Sequence, residues 1–146
     1  MSYGKARSDD GLWIVDTCIL LDVRLDDPNF GRASAACLEA HSPDGLRLCP
    51  ITFIEIAPSF RGDVTRQKLW MAELALDFHE PWTDQDTDEA HRLWNDFIQG
   101  RRQGLVAKRP IADVLIAAFA LRHQGLITRN TADFRSICPT LALIEP

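Results

Sequence analysis

From Leu12 to Ile144, short apolar runs alternate with longer segments of helical periodicity, and few folds satisfy that alternation. Residues 12–15, 46–49, 126–128 and 141–144 are apolar runs of strand length, and residues 78–82 are a further candidate. Between them, residues 18–23, 32–40, 64–76, 86–103 and 110–123 carry helical spacing, and another helix opens at Thr52 and is disturbed by Pro58. Ala33, Ala36, Cys37 and Ala40 illustrate the i, i+3, i+4, i+7 pattern. Ser42-Pro43-Asp44-Gly45 and Asp26-Asp27-Pro28 read as turns. Residues 110–123 are apolar almost all round, which requires a helix buried on every side. Short apolar strands alternating with helices imply βα units and a parallel sheet covered on both faces. The expected organisation is a polar tail at residues 1–11 and one α/β domain at 12–146.

Composition narrows the function classes. No apolar stretch approaches the roughly 20 residues of a membrane helix, and the first residues lack the apolar core of a secretory signal. A cytoplasmic protein with no membrane association is expected. The four cysteines have no metal-binding spacing and read as buried, reduced thiols. With 16 Lys and Arg against 21 Asp and Glu, net charge is -5, so any nucleic acid must be met by local contacts rather than bulk charge.

Placed on this map, the acids gather. Asp16 follows the first strand, and Glu55 is expected in the first turn of the helix opened by Thr52. Asp113 falls in the first turn after Pro110, and Asp133 follows the strand at 126–128. In a parallel sheet, strand ends and the following helix starts share one side, where ligands bind. Each acid also has a local explanation. Thr52-x-x-Glu55 and Asn130-x-x-Asp133 have the form of capping boxes, Asp113 complements a helix dipole, and Asp16 suits turn amides. As a set, converging carboxylates repel one another unless a cation compensates, and hard Mg2+ or Mn2+ takes such oxygen ligands.

The local sequences are more specific. Ile14-Val15-Asp16-Thr17-Cys18-Ile19-Leu20-Leu21, Ile51-Thr52-Phe53-Ile54-Glu55-Ile56, Ile111-Ala112-Asp113-Val114-Leu115-Ile116-Ala117-Ala118-Phe119-Ala120 and Leu126-Ile127-Thr128-Arg129-Asn130-Thr131-Ala132-Asp133-Phe134 follow one another in order. Together they resemble the four motifs of the PIN-domain family, and in particular the VapC-type toxins of VapBC toxin–antitoxin systems, over nearly the whole chain after Gly11. That resemblance implies a three-layer α/β/α domain with a mainly parallel sheet of four to five strands. It implies a Mg2+- or Mn2+-dependent endoribonuclease, with Asp16, Glu55, Asp113 and Asp133 as catalytic and metal-binding acids. Thr17, Thr128 and Asn130 would be supporting residues, Asn130 standing where many members have Asp. It also implies a homodimer and a VapB-like antitoxin.

Arg101, Arg102, Lys108 and Arg109, which precede Asp113, and Arg129 in the closing motif are the candidate RNA contacts. The histidines and the tryptophans read as solvated or core residues. A dehalogenase-type phosphotransfer site would have Asp where Cys18 stands, and a receiver domain would have Lys near Thr128. The remaining alternative is a PIN-like domain that binds RNA or protein without cleaving it.

Overall fold

Five parallel strands form one sheet: β1 (Trp13–Val15), β2 (Leu46–Arg47), β3 (Leu76–Asp77), β4 (Gly125–Ile127) and β5 (Leu143–Ile144), in the order β3-β2-β1-β4-β5. The structure is a computed structural model, and it describes residues 12–101 and 110–146. Seven α-helices surround the sheet among these residues: α1 (Thr17–Arg24), α2 (Gly31–His41), α3 (Pro50–Glu55), α4 (Val64–Glu73), α5 (Asp84–Arg101), α6 (Ile111–Ala120) and α7 (Thr131–Ile137).

Successive strand residues point to opposite faces, so each strand feeds two cores. Ile14 and Leu126 pack with Ala90, Leu93 and Phe97 of α5, with the buried side of α6, and with Phe134 and Ile137 of α7. Their neighbours Val15 and Ile127 enter the other core, with Ile19 and Leu20 of α1, Leu38 of α2, Met71 of α4, and Phe60. The outcome is the expected three-layer α/β/α arrangement. Residues 116–120 of α6 are wholly buried, as an all-round apolar helix requires. Each large apolar side chain so enclosed contributes about 1.5–3 kcal/mol of transfer free energy.

Two glycines are needed for close approach. Gly45 has φ +100°, and a Cβ there would strike the Leu12 side chain. At Gly125 a Cβ would run into the Ala142 carbonyl and the Trp13 ring, so its absence lets β5 and Trp13 close on β4.

Several boundaries differ from the sequence expectation. Pro50, suited to a first helical position, starts α3 before Thr52, with Cys49 as the cap. Glu55 is therefore the last residue of a six-residue helix, not part of its first turn. The chain continues as a 3-10 turn, Ala57–Phe60, that accommodates Pro58. The strand expected at 78–82 lies earlier, because Ala75 takes left-handed φ (56°), turns the chain out of α4 and buries Leu76. α5 begins ahead of Asp86 because Thr83 and Asp86 exchange backbone-to-side-chain hydrogen bonds of 3.0 and 3.1 Å. Arg122 then forks onto buried Asp86 at 2.8 Å and reaches Glu80 at 2.8 Å, fastening the end of α6 to the start of α5.

The strand order reverses at β1. The chain runs outward from β1 through β2 to β3, then returns past β1 to β4 and β5, with the helices of the return on the opposite face. The connections beside β1 therefore diverge, and a crevice opens outside the carboxyl ends of β1 and β4.

Candidate functional site

Asp16 and Thr128 are the residues that immediately follow β1 and β4, whose last residues Val15 and Ile127 are register partners. The Asp16 N–H donates to the Ile127 carbonyl at 3.0 Å, so the two strand ends are tied at the mouth of the crevice. Asp16 caps α1: its Oδ1 accepts from the Thr17 N–H at 2.8 Å. Its Oδ2 accepts from the Thr128 hydroxyl at 2.7 Å and from the Cys18 thiol at 3.3 Å. Thr128 in turn accepts from the Asn130 N–H at 2.9 Å.

The Asp16 carboxyl is buried, and burial pushes its pKa above the ordinary carboxylate value. The donors on Thr128, Cys18 and Thr17 oppose that rise, and the charge of Glu55 adds to it. The Cys18 thiol is pushed up to about 12, by burial first and then by the Asp16 charge, which makes it a hydrogen-bond donor rather than a nucleophile.

Glu55 reaches the same place from α3. The Thr17 hydroxyl donates to Glu55 Oε1 at 2.5 Å and lies 3.1 Å from the hydroxyl of buried Thr52. Thr52 sits one helical turn before Glu55, so both present one face of α3 to α1. Asp16, Thr17, Glu55 and Thr128 thus form one connected group. Thr52 and Cys18 belong to it as well, although the sequence marks Thr52 only as a cap and Cys18 only as a packed thiol.

Asp113 and Asp133 reach the same edge by topology. α6 precedes β4 and runs opposite to it, so its amino end, with half-buried Asp113, lies at the carboxyl side of the sheet. α7 starts just beyond β4, and Asp133 is exposed in its first turn. Asn130 precedes α7 and makes no side-chain cap hydrogen bond. Among the described residues, no group of three or more His, Cys, Asp or Glu side chains is gathered closely enough to hold a metal ion.

The donor set nonetheless suits a hard cation. The two carboxylates brought together, Asp16 and Glu55, offer oxygen alone, flanked by threonine hydroxyls. Mg2+ is commonly held through one or two carboxylates with waters and substrate phosphates completing its shell, so a pair at the edge fits it.

Of the expected RNA contacts, Arg102, Lys108 and Arg109 lie outside the described residues, as does the side chain of Arg101 at the end of α5. Arg129 is committed elsewhere. Its Nε and Nη2 donate to the two oxygens of buried Asp22 at 2.7 and 2.8 Å, and its guanidinium lies 4.1 Å over the Phe30 ring. Asp22 also accepts from the Ser34 hydroxyl at 2.8 Å. This pair ties the closing segment to α1 and α2, an arrangement that no local spacing announces, since its partners lie 107 positions apart.

Residues 13–138 match the model of the PIN domain. The chain belongs to the PIN-domain family. Structural matches agree with that fold. One is a chain in the crystal structure of VapBC2 from Rickettsia felis bound to a DNA fragment from their promoter. This PIN domain superposes on it with a TM-score of 0.67 and 19% identity, over 92% of its own length and 98% of that chain. No curated protein matches this PIN domain.

Proposed function

We propose that this PIN domain is a Mg2+- or Mn2+-dependent endoribonuclease, the toxin of a type II toxin–antitoxin pair. The observation that carries the reading is the junction of Asp16 and Glu55 through Thr17 at the carboxyl ends of the central strands. Nuclease chemistry is the general property of the family that the chain joins. The fold is shared with a chain of VapBC2, which supports a VapB-like antitoxin as partner.

In this reading residues 12–146 are the nuclease unit and residues 1–11 a polar tail. The acidic group is Asp16, Glu55, Asp113 and Asp133, with Thr17, Thr128 and Asn130 in support. The divalent cation, when bound, polarises the scissile phosphate and lowers the pKa of a bound water. The chain's own residues do the positioning. Thr128, Cys18 and the Thr17 N–H hold the Asp16 carboxylate in one orientation, and the Thr17 hydroxyl fixes one oxygen of Glu55. Carboxylates so held orient the attacking water against the phosphodiester. Arg101, Arg102, Lys108 and Arg109 are the cations assigned to the RNA backbone. The exposed apolar side chains Val64 and Leu69 support association with a second copy or an antitoxin. No described helix is long and apolar enough to cross a membrane, and we place the protein in the cytoplasm.

The deciding experiment is incubation of total cellular RNA with the purified protein and Mn2+ or Mg2+, beside EDTA and Asp16→Asn controls. Discrete fragments that disappear in both controls are expected. An intact RNA pool, from a sample that also binds no Mn2+, would leave a domain that binds without cleaving.

A further inference from the structure

Beside Glu55 lies an aromatic pocket that the acidic group does not use. Pro50, Phe53 and Ile54 of α3, Lys68 of α4, and Phe78 and His79 beyond β3 line a cavity of about 300 Å3. That volume is at the lower end of the range for ligand pockets. α3 starts, and β3 ends, at the carboxyl side of the sheet, so the pocket and Asp16 share that side. Ile54 of the lining is the residue before Glu55.

The walls are set in advance. Phe53 and Phe78 have ring centroids 5.9 Å apart, and Phe78 and His79 are 4.3 Å apart, each pair tilted. Buried Gln67 donates to the Phe53 carbonyl at 2.7 Å and locks α4 onto α3. The His79 N–H donates to Asp77 at 3.0 Å, and Asp77 is itself held by Arg47 at 2.6 Å. Little ordering therefore remains to oppose a ligand.

The lining also selects an occupant. Among the described residues it contains two phenyl rings, an imidazole and an exposed lysine, and no carboxylate, in a chain whose net charge is -5. We propose that this pocket seats a base of single-stranded RNA, with Lys68 meeting the adjoining phosphate, as a subsite for the strand that reaches Asp16 and Glu55. The proposal rests on the ribonuclease reading of that edge. Every base has a face that stacks on aromatic side chains, histidine included, whereas a paired base in a helix offers none. A lysine ammonium suits phosphate as a point charge. An apolar peptide side chain would fill the cavity without using Lys68.

The test is fluorescence anisotropy in EDTA, with a labelled single-stranded RNA of about ten nucleotides, within the span such sites cover. Parent protein is compared with Phe78→Leu, His79→Ala and Lys68→Gln, each checked for folding by circular dichroism. Leucine keeps most of the apolar volume of Phe78, which packs partly against the core, and exposed His79 supplies a second variant that leaves the core untouched. Phe78→Leu is expected to weaken binding about 5- to 150-fold, the equivalent of one base stack. His79→Ala should weaken it several-fold. Lys68→Gln should reduce the slope of log affinity against log salt by about 0.7, one phosphate contact on a single strand. A sugar-phosphate strand lacking bases should bind parent and Phe78→Leu alike. Parent-like RNA affinity in both Phe78→Leu and His79→Ala would overturn the proposal, equally so if those variants lost a protein partner instead. Because no metal is present, binding through the pocket by a parent that never cleaves RNA would sink the nuclease reading alone. Cleavage by the parent with unchanged affinity in the variants would sink the pocket alone.

Discussion

Thr17 and Glu55, 38 residues apart, are joined by one hydrogen bond in which the Thr17 hydroxyl donates to Glu55 Oε1 at 2.5 Å. It connects the first residue of α1 to the last residue of α3, and so sets where the second carboxylate stands relative to Asp16.

Thr17→Val keeps the side chain's shape and removes the donor. Water can replace the partner of exposed Glu55, but the buried Thr52 hydroxyl also loses its contact with Thr17, so urea denaturation should register about 1–3 kcal/mol of destabilisation. RNA cleavage at fixed Mn2+ should fall roughly 10- to 100-fold, the usual effect of releasing a ligand from its supporting hydrogen bond. Wild-type kcat/KM in this variant would separate Thr17 from the chemistry.

Asp16→Asn replaces a buried charge with a neutral amide of the same shape. Burial disfavours the Asp16 carboxylate, as its raised pKa records. Metal-free thermal stability should therefore be unchanged or higher in the variant. Added Mn2+ should raise the melting temperature of the parent and leave the variant where it is, since only a state that binds ligand is stabilised by it. A marked metal-free loss of stability in Asp16→Asn would mean that the carboxylate serves the fold rather than a cation.

Arg129→Met tests whether that arginine serves RNA or the fold. Asp22 is buried and would be left without its cation. Breaking a fully buried pair costs about 3–5 kcal/mol, and partial exposure of Arg129 should reduce this to roughly 2 kcal/mol. Adding Asp22→Asn to the same background should restore part of the loss. RNA affinity measured on folded protein should retain its salt dependence, whereas a phosphate contact would lower the slope.

Asp77 gives a pH test remote from the acidic group. Burial alone would raise its pKa, but the His79 N–H and Arg47 outweigh burial and hold the carboxyl below its ordinary value of 3.8. With the folded pKa the lower, the unfolded state binds more protons in the interval between the two, and stability rises with pH there. The contribution is complete above about pH 4 and is lost as pH falls through the folded value. Asp77→Asn should cost about 1 kcal/mol at pH 7, after allowance for solvent screening of a partly exposed pair. Urea titrations of parent and variant should converge below pH 4.

The elements legible in the sequence are those whose pattern has one reading. Residues 110–123, apolar on every side, have to be an enclosed helix, and α6 is one. The runs ending at Asp16 and Thr128 have to be interior strands, and they form the adjacent pair β1 and β4. The α3 segment misleads because Thr52-x-x-Glu55 imitates a helix start, while Pro50 two residues earlier supplies the actual one. The β3 position is hidden because a left-handed alanine, Ala75, turns the chain where no glycine or proline marks a turn. The four acids can be assigned to one side of the sheet, but not to particular distances. The placement of Asp16 and Glu55 depends on Thr17, Thr52 and Thr128, hydroxyls that become significant only once α1, α3 and β4 are side by side. The Arg129–Asp22 pair is invisible in the sequence for the same reason.

The place of β1 between β2 and β4 has a consequence for when the acidic edge is assembled. Synthesis delivers the amino end first, and folding follows the emerging chain. Asp16 is made well before the hydroxyl that orients it, which belongs to Thr128, 112 residues later. Until then β1 is open along one side and the crevice has a single wall. A nascent chain at that stage carries Asp16 without the hydroxyl that orients it, and Asp133 has yet to be made. The strand order thus defers assembly of the Asp16 surroundings until β4 has been made and pairs with β1.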